Sequence, residues 1–406
     1  MTESSHNAVR TRRVFYIPGY DPIHPRRYRE LYRKEGAMQA EISGYEVTLS
    51  AKQGEGPYGW HVSGAMENGA TQADFEVLVW SDIVRDSMEQ GILATYLQLV
   101  RTAWVYISTG ALWRLMQLRK GPVIAALYPV LFLLVQLMLA LVAAWGIGKL
   151  IAMVLPGWMA WAGLLIVPPL LNWFRKKDNK FFAYYLMHDY AYSAQSRGAE
   201  PDALRARMAE FGDQIAEAFQ QDVDEVLVVG HSSGAHLAVS ILADLIREGR
   251  VPEQGPVLGF LSLGQVVPMV SFLPDAHRLR EDLQFLCQRD ELTWVDVTAP
   301  GDGCAFALCD PVLVSGVAPE SGKRWPLVVS AAFTQTLSPE RWKELRWRFF
   351  RLHFQYLCAF DAPGDYDYFR ITAGPKTLAG RYEGRQPSKS RIEKPINKFT
   401  GVLKDA

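Results

Sequence analysis

Apolar residues fall into three kinds of run along this chain. The first kind is short. Blocks of β-branched and aliphatic residues lie at 13–17, 75–80, 225–229, 257–263, 292–297 and 327–333, five of them followed within three residues by Gly, Pro or Asp, the signature of buried strands. Two shorter segments, 45–49 and 60–63, alternate around a Gly-rich stretch and predict a hairpin. The second kind has helical spacing. At 201–220, Leu204, Met208, Phe211, Ile215 and Phe219 recur at i, i+4, i+7, i+11 and i+15. Segments 25–41, 181–193 and 276–288 read as helices too. So does a segment opening at Ser338-Pro339 and running through Trp342, Trp347 and Phe350 towards His353 and Tyr356, with Ser338 as N-cap. Strands alternating with helices predict an α/β fold: a mostly parallel sheet flanked by helices, with ligand chemistry at the carboxyl ends of its strands.

The third kind is long and carries no charge. Residues 123–145 are 23 in a row without a charge, and 150–171 are another 22. Each run is long enough to cross a hydrocarbon core of about 30 Å, and soluble helices rarely lack a polar face over six turns. Arg114, Arg119 and Lys120 precede the pair, Arg175, Lys176 and Lys177 follow it, and Lys149 alone lies between. The positive-inside rule then puts both outer flanks in the cytoplasm, with the connecting turn at 146–149 on the far side. Pro156, Pro168 and Pro169 make the second segment a kinked or partly re-entrant alternative to a full span. Ahead of the pair, 92–118 is apolar and aromatic but contains Arg101 and Arg114, which suits a helix lying on a membrane surface, or a lid. Four parts follow: 1–91, the first part of the α/β domain; 92–178, a membrane-associated insertion; 179–380, the rest of the α/β domain; and 381–406, a basic tail with seven Lys/Arg against three Asp/Glu, read as solvated.

Composition narrows the picture. The formal net charge is +0 over 406 residues, which gives no basis for a nucleic-acid partner. Cys287, Cys304, Cys309 and Cys358 show no metal-ligand spacing and read as free thiols of a reducing compartment. The start of the chain is polar, with no cleavable signal peptide visible.

The chemistry centres on 225–238, EVLVVGHSSGAHLA, where a buried strand ends in Gly230-His231-Ser232-Ser233-Gly234 and a helix begins at once. In that context G-x-S-x-G makes a sharp turn that lifts a serine hydroxyl off the strand end, with glycines where a Cβ would not fit. Pro18-Gly19-Tyr20 follows the first strand and suits a loop whose backbone N–H faces a developing oxyanion. Asp302, between two glycines just past the strand at 292–297, is placed to reach a site at the sheet's end; Asp275 is an alternative, and Asp296 lies within the strand.

The elbow resembles that of the lipases and esterases of the α/β-hydrolase superfamily. The resemblance covers the six strands and departs from the family in two ways: the usual antiparallel strands before the first strand are missing, which implies a smaller sheet, and an apolar hairpin is inserted ahead of the elbow strand. The family's chain order, Ser then Asp or Glu then His, implies Ser232, Asp302 and His353, the last being the single histidine after Asp302. Its oxyanion hole implies the backbone N–H groups of Ser233 and Tyr20. The resulting expectation is a membrane-anchored serine hydrolase acting on a small-molecule or lipid ester, needing neither metal nor organic cofactor. The alternatives are an acyltransferase or thioesterase with the same elbow, or an inactive α/β-hydrolase scaffold serving as a membrane interaction module.

Overall fold

A computed structural model describes residues 8–402 except 53 and 55. His6, within the polar start of the chain, lies outside the described residues. So do parts of the Gly-rich stretch and the last four residues of the tail.

The chain opens with β1 (Thr11–Ile17) and α1 (Arg26–Ser43), then β2 (Glu46–Ala51), β3 (Gly59–Met66) and β4 (Gly69–Val77). Helices follow: α2 (Ser81–Met88), α3 (Ile92–Ser108), α4 (Ala111–Leu118), α5 (Lys120–Ala152), a 3-10 segment (Gly157–Ile166), α6 (Val167–Lys176), α7 (Ala183–Gln195) and α8 (Asp202–Ala218). The chain then returns to the sheet through β5 (Glu225–His231), α9 (Ser233–Arg247), β6 (Val257–Leu263), α10 (Val267–Ser271), α11 (His277–Leu286), β7 (Leu292–Thr298), α12 (Pro311–Val314) and β8 (Leu327–Ser330). Near the end lie α13 (Phe333–Thr336), α14 (Pro339–Leu345) and α15 (Phe349–His353).

One eight-stranded sheet has the order β2-β3-β4-β1-β5-β6-β7-β8. From β4 to β8 every pairing is parallel, and β2 and β3 are antiparallel additions at one edge. The expected hairpin therefore extends the main sheet, and the small sheet implied by the missing leading strands is corrected to eight strands. After β1 the chain builds the sheet in one direction, then returns to β5 and builds in the other. The crevice between the ends of β1 and β5 is thus a topological switch point, where open α/β sheets place their ligands. Two apolar layers cover the sheet. Leu237, Ile241 and Leu245 of α9 pack on one face with Phe211 and Ile215 of α8; Tyr28 and Tyr32 of α1 pack on the other with Trp60 and Phe75.

At the amino ends of β1 and β5 a buried pair joins Arg12 to Glu225, Nε to Oε2 at 2.5 Å. Arg12 also donates to the carbonyls of Gly374 and Lys376, and Glu225 accepts from the Leu378 N–H. Each charge keeps a full set of partners, without which its burial would cost several kcal/mol.

Two helices are long and apolar enough to cross a membrane: α5, with 33 residues, and the 20 residues from Gly157 to Lys176. Both leave most of their surface uncovered. Along α5 the buried residues form one stripe, Pro129, Leu133, Gln136, Ala140, Ala144 and Gly148. Its upper part touches Leu99 of α3 and Met187 of α7; its lower part meets the 3-10 segment. That lower contact is backbone to backbone: a Cβ on Gly148 would lie 2.6 Å from the Ala160 carbonyl oxygen, and one on Gly163 would lie 2.3 Å from that of Ala144. Small residues at such a crossing allow the close approach from which apolar helices gain packing energy.

This contact corrects the expected turn at 146–149. The helix runs through both glycines, of which Gly148 serves close packing and Gly146 faces open space, and the reversal falls at 153–156, where Met153 and Val154 are 79% and 85% exposed. The second segment is a 3-10 stretch capped by Pro156 and followed by α6, with Pro168 and Pro169 in the first turn of α6, where a missing N–H has no intrahelical role.

Two more expectations change. The helix opening at Ser338 breaks after Leu345, and α15 is a separate element. The basic tail is docked along the body rather than solvated: Ser388 donates to Val328, Ile392 bridges to Cys309, Asn397 donates to the Ser271 and Ser315 carbonyls, and Ile396 is buried.

Candidate functional site

The carboxyl ends of β1, β5, β6 and β7 carry Gly19, Ser232, Gly264 and Asp302 in their following loops. The turn after β5 is the tightest of them. Ser232 holds φ 56° and ψ −121°, a combination costly for a residue with a side chain. The fit around it explains the two elbow glycines. A Cβ on Gly230 would lie 2.7 Å from Ala235 Cα, and one on Gly234 would lie 2.1 Å from the Ile17 carbonyl oxygen. Gly19 is fixed for the same reason, since its Cβ would fall 2.9 Å from Ser232 Cβ. The Pro18-Gly19-Tyr20 loop therefore lies directly against the serine.

Ser232 is the N-cap of α9 and Ser233 its first residue. N–H groups in a first helical turn have no intrahelical acceptor and carry the positive end of the helix dipole. Ser232, Ser233, Gly19 and Tyr20 all line one cavity of about 90 Å³, which His353 lines from the other side. Tyr20 is anchored at both ends: its hydroxyl pairs with Ser87, and its carbonyl accepts from the Tyr185 hydroxyl.

His353 closes α15, the helix-end position that lets its ring leave the helix. Its Nδ1 lies 2.7 Å from Asp302 Oδ2. Asp302 is buried behind the ring, and it also accepts from the Tyr356 hydroxyl at 3.0 Å and the Cys304 N–H at 2.8 Å. Burial pushes its carboxyl up, but the His353 charge and these three donors outweigh burial and hold it below the ordinary carboxylate range. The arrangement fixes Nδ1 as the partner of an ionised carboxylate and leaves Nε2 as the ring's other functional atom. Asp275 instead pairs with Arg197 at the surface, and Asp296 is held inside the sheet by the Ser262 hydroxyl.

His231 and His236 line the same cavity, so His353 has neighbours of its own kind. Neither competes for Asp302 among the described hydrogen bonds. The His231 ring lies 4.9 Å from that of His353, with Nε2 3.1 Å from the His353 carbonyl oxygen. Burial, then the His353 charge, pushes His231 down to about 3, and burial pushes His236 down to about 4, so both rings are neutral near pH 7.

Asp302, Cys304 and His353 also have ligand atoms within 4.8 Å of one another. The chemistry of the set fits a metal poorly. The closest pair is already a hydrogen bond, and burial, reinforced by Asp302 and Asp189, drives the Cys304 thiol well above its usual range, away from the thiolate that metals bind.

Two residues of the site carry no sequence signal of their own. Tyr356 spans the gap between Asp302 and the Ala299 N–H, which donates to its hydroxyl at 3.0 Å. Asp189, on α7, lines the cavity, and burial raises it to about 7. A lone carboxylate in the aromatic run 181–193 was the one available hint to it. No family profile, curated protein or solved structure matches this chain.

Proposed function

We propose that this protein is a membrane-anchored serine hydrolase of the α/β-hydrolase type that cleaves a carboxylic ester of lipidic character. The observation that carries this reading is the convergence on one cavity of a strained serine at a helix N-terminus and a histidine whose far nitrogen is held by a buried, ionised aspartate. In the proposed reaction, His353 Nε2 takes the Ser232 hydroxyl proton as Oγ attacks the ester carbonyl. The Ser233 and Tyr20 N–H groups stabilise the oxyanion, each worth on the order of 3 kcal/mol. The proton then passes from His353 to the departing alkoxide, which leaves as alcohol. Water, deprotonated in turn by His353, releases the acid and restores Ser232. Asp302 keeps the ring in one tautomer and stabilises its charged form.

The membrane part rests on the exposed apolar surface. Leu93, Leu97, Val100, Trp104 and Ile107 form one exposed stripe along α3, and Leu131, Trp145, Trp158, Trp161 and Leu165 crowd the hairpin, all more than half exposed. Such a continuous patch suits lipid rather than water. Both roots of the hairpin are tied to the α/β body, through Arg119 to the Ala307 carbonyl and Arg175 to the Gln90 carbonyl. This supports two spans with the catalytic domain and both basic flanks on the cytoplasmic side.

A fluorophosphonate probe tests the chemistry. Wild type should label and Ser232→Ala should not; labelling that survives the substitution removes Ser232 from the nucleophile role. Alkaline carbonate tests the anchor, and release of the protein without detergent would rule out spanning.

A further inference from the structure

A second cavity, of about 130 Å³, lies beside the first between α3, α4, α5 and α7. Its inner wall is fully buried, at Leu115 and Met187; at its outer rim Ile107 and Leu127 are 52% and 46% exposed, on the face that carries the apolar stripe. Tyr106, Tyr190 and Met269 line both cavities and so form the partition between them. The Tyr106 hydroxyl donates to the Met269 carbonyl across that partition, while the methionine side chain has the freedom to swing aside. An apolar space thus runs from the exposed face of the inserted helices to the wall of the cavity that holds Ser232.

We propose that this second cavity takes up the hydrocarbon chain of the substrate's acyl group, entering between α3 and α5 and reaching Ser232 past Tyr106, Tyr190 and Met269. The inference rests on the reading of Ser232 as nucleophile and narrows it to esters of unbranched chains. Size sets the length. A dry cavity of about 150 Å³ accepts a benzene ring, so roughly six carbons fit inside. Chains of eight or more extend past Ile107 and Leu127 to the outer face. The insertion then acts as part of the binding site as well as an anchor. Each buried methylene strengthens binding about fourfold, so selectivity for long chains follows from the cavity itself.

The test compares 4-nitrophenyl esters from acetate through decanoate to dodecanoate on the full chain in detergent. Ala126→Phe fills the cavity from α5 and should lower the decanoate-to-acetate ratio of kcat/KM at least tenfold. Val130→Ala enlarges it and should move the preferred chain length upward by one or two carbons. Ratios unchanged in both variants would overturn the proposal. A binding readout separates this inference from the hydrolase reading. In Ser232→Ala, a diazirine-bearing decanoic acid should cross-link to peptides spanning 102–115 and 123–130. Cross-links there, with no ester turned over by wild type, would retain the chain site and reject the hydrolase. Their absence would reject the chain site whatever the activity.

Discussion

Strand β5 with helix α9, and helix α5 with the segment it packs on, are both long apolar stretches, and they meet opposite surroundings. All seven residues of β5 are buried, as are twelve of the fifteen in α9. Only eight of the 33 residues of α5 are buried. In the first region apolar side chains are removed from water by other side chains, and at the strand end the His231 ring is held by the His353 carbonyl. In the second, the lower half of the inward stripe is made of small residues, Ala140, Ala144 and Gly148, large side chains point outward, and backbone approach there replaces side-chain interlocking. Apolarity alone therefore does not say whether a segment is core. The size of the residues on its covered face does, because a helix with a protein-filled environment puts its large residues inward.

The largest effect expected on the first region is chemical. His353→Gln should lower kcat/KM for an ester at least about 10³-fold, roughly 4 kcal/mol of transition-state stabilisation. His236→Gln, in the same cavity but without the aspartate, should stay within about tenfold, and equal losses in the two would break the assignment of His353. In the second region Gly163→Leu forces a side chain into the Ala144 carbonyl. Thermal unfolding in detergent should show a loss of about 1–3 kcal/mol, the usual cost of overpacking, with Ser232 still labelled below the transition. Loss of labelling at low temperature would mean that the two regions are not separable. Tyr356→Phe removes the hydroxyl shared by Asp302 and the Ala299 N–H. A stability loss of about 1–3 kcal/mol from the orphaned N–H and a roughly tenfold fall in rate are expected, read by chemical denaturation and steady-state kinetics.

The last test is a pH dependence. Burial raises Asp296 to about 8, so the folded protein keeps it protonated while the unfolded chain ionises it from about pH 4 upward. Wild type is therefore progressively penalised between about pH 4 and pH 8, and Asn in its place is not. The melting temperature of Asp296→Asn relative to wild type should climb by roughly 6 °C across that interval of about four pH units and level off above it. A difference that fell with pH would contradict the buried, protonated state.

The strands and the turn at Ser232 were legible because each is local. A contiguous apolar run ending in G-x-S-x-G has few alternative meanings, and Gly301-Asp302-Gly303 marks an aspartate free to leave its strand. His353 came from elimination and chain order, since the helix end that frees its ring depends on a break after Leu345 that the apolar spacing runs straight through. Tyr356 and Asp189 were invisible for a different reason. They reach the site because separate helices pack there, and neither has a neighbouring motif. Gly148 marks a close approach rather than the turn, because glycine has two uses, reversal and close approach, that look identical along a sequence. The tail misled because its charges outnumber the two apolar anchors, Ile392 and Ile396, that dock it.

The pairing of β1 with β5 has a consequence for biosynthesis. Arg12 and Glu225, bonded across those strands, stand 213 residues apart, and the whole apolar insertion lies between them. At about 5–20 residues per second a ribosome needs roughly 10–40 s to make that interval. Once β4 is made, β1 has it on one side and an open edge on the other until β5 arrives, the kind of edge that recruits foreign strands. The insertion emerges within the same interval. If it engages the bilayer as it is made, the half-built sheet is tethered at a surface before β5 arrives, and the site is complete only after His353 has been made.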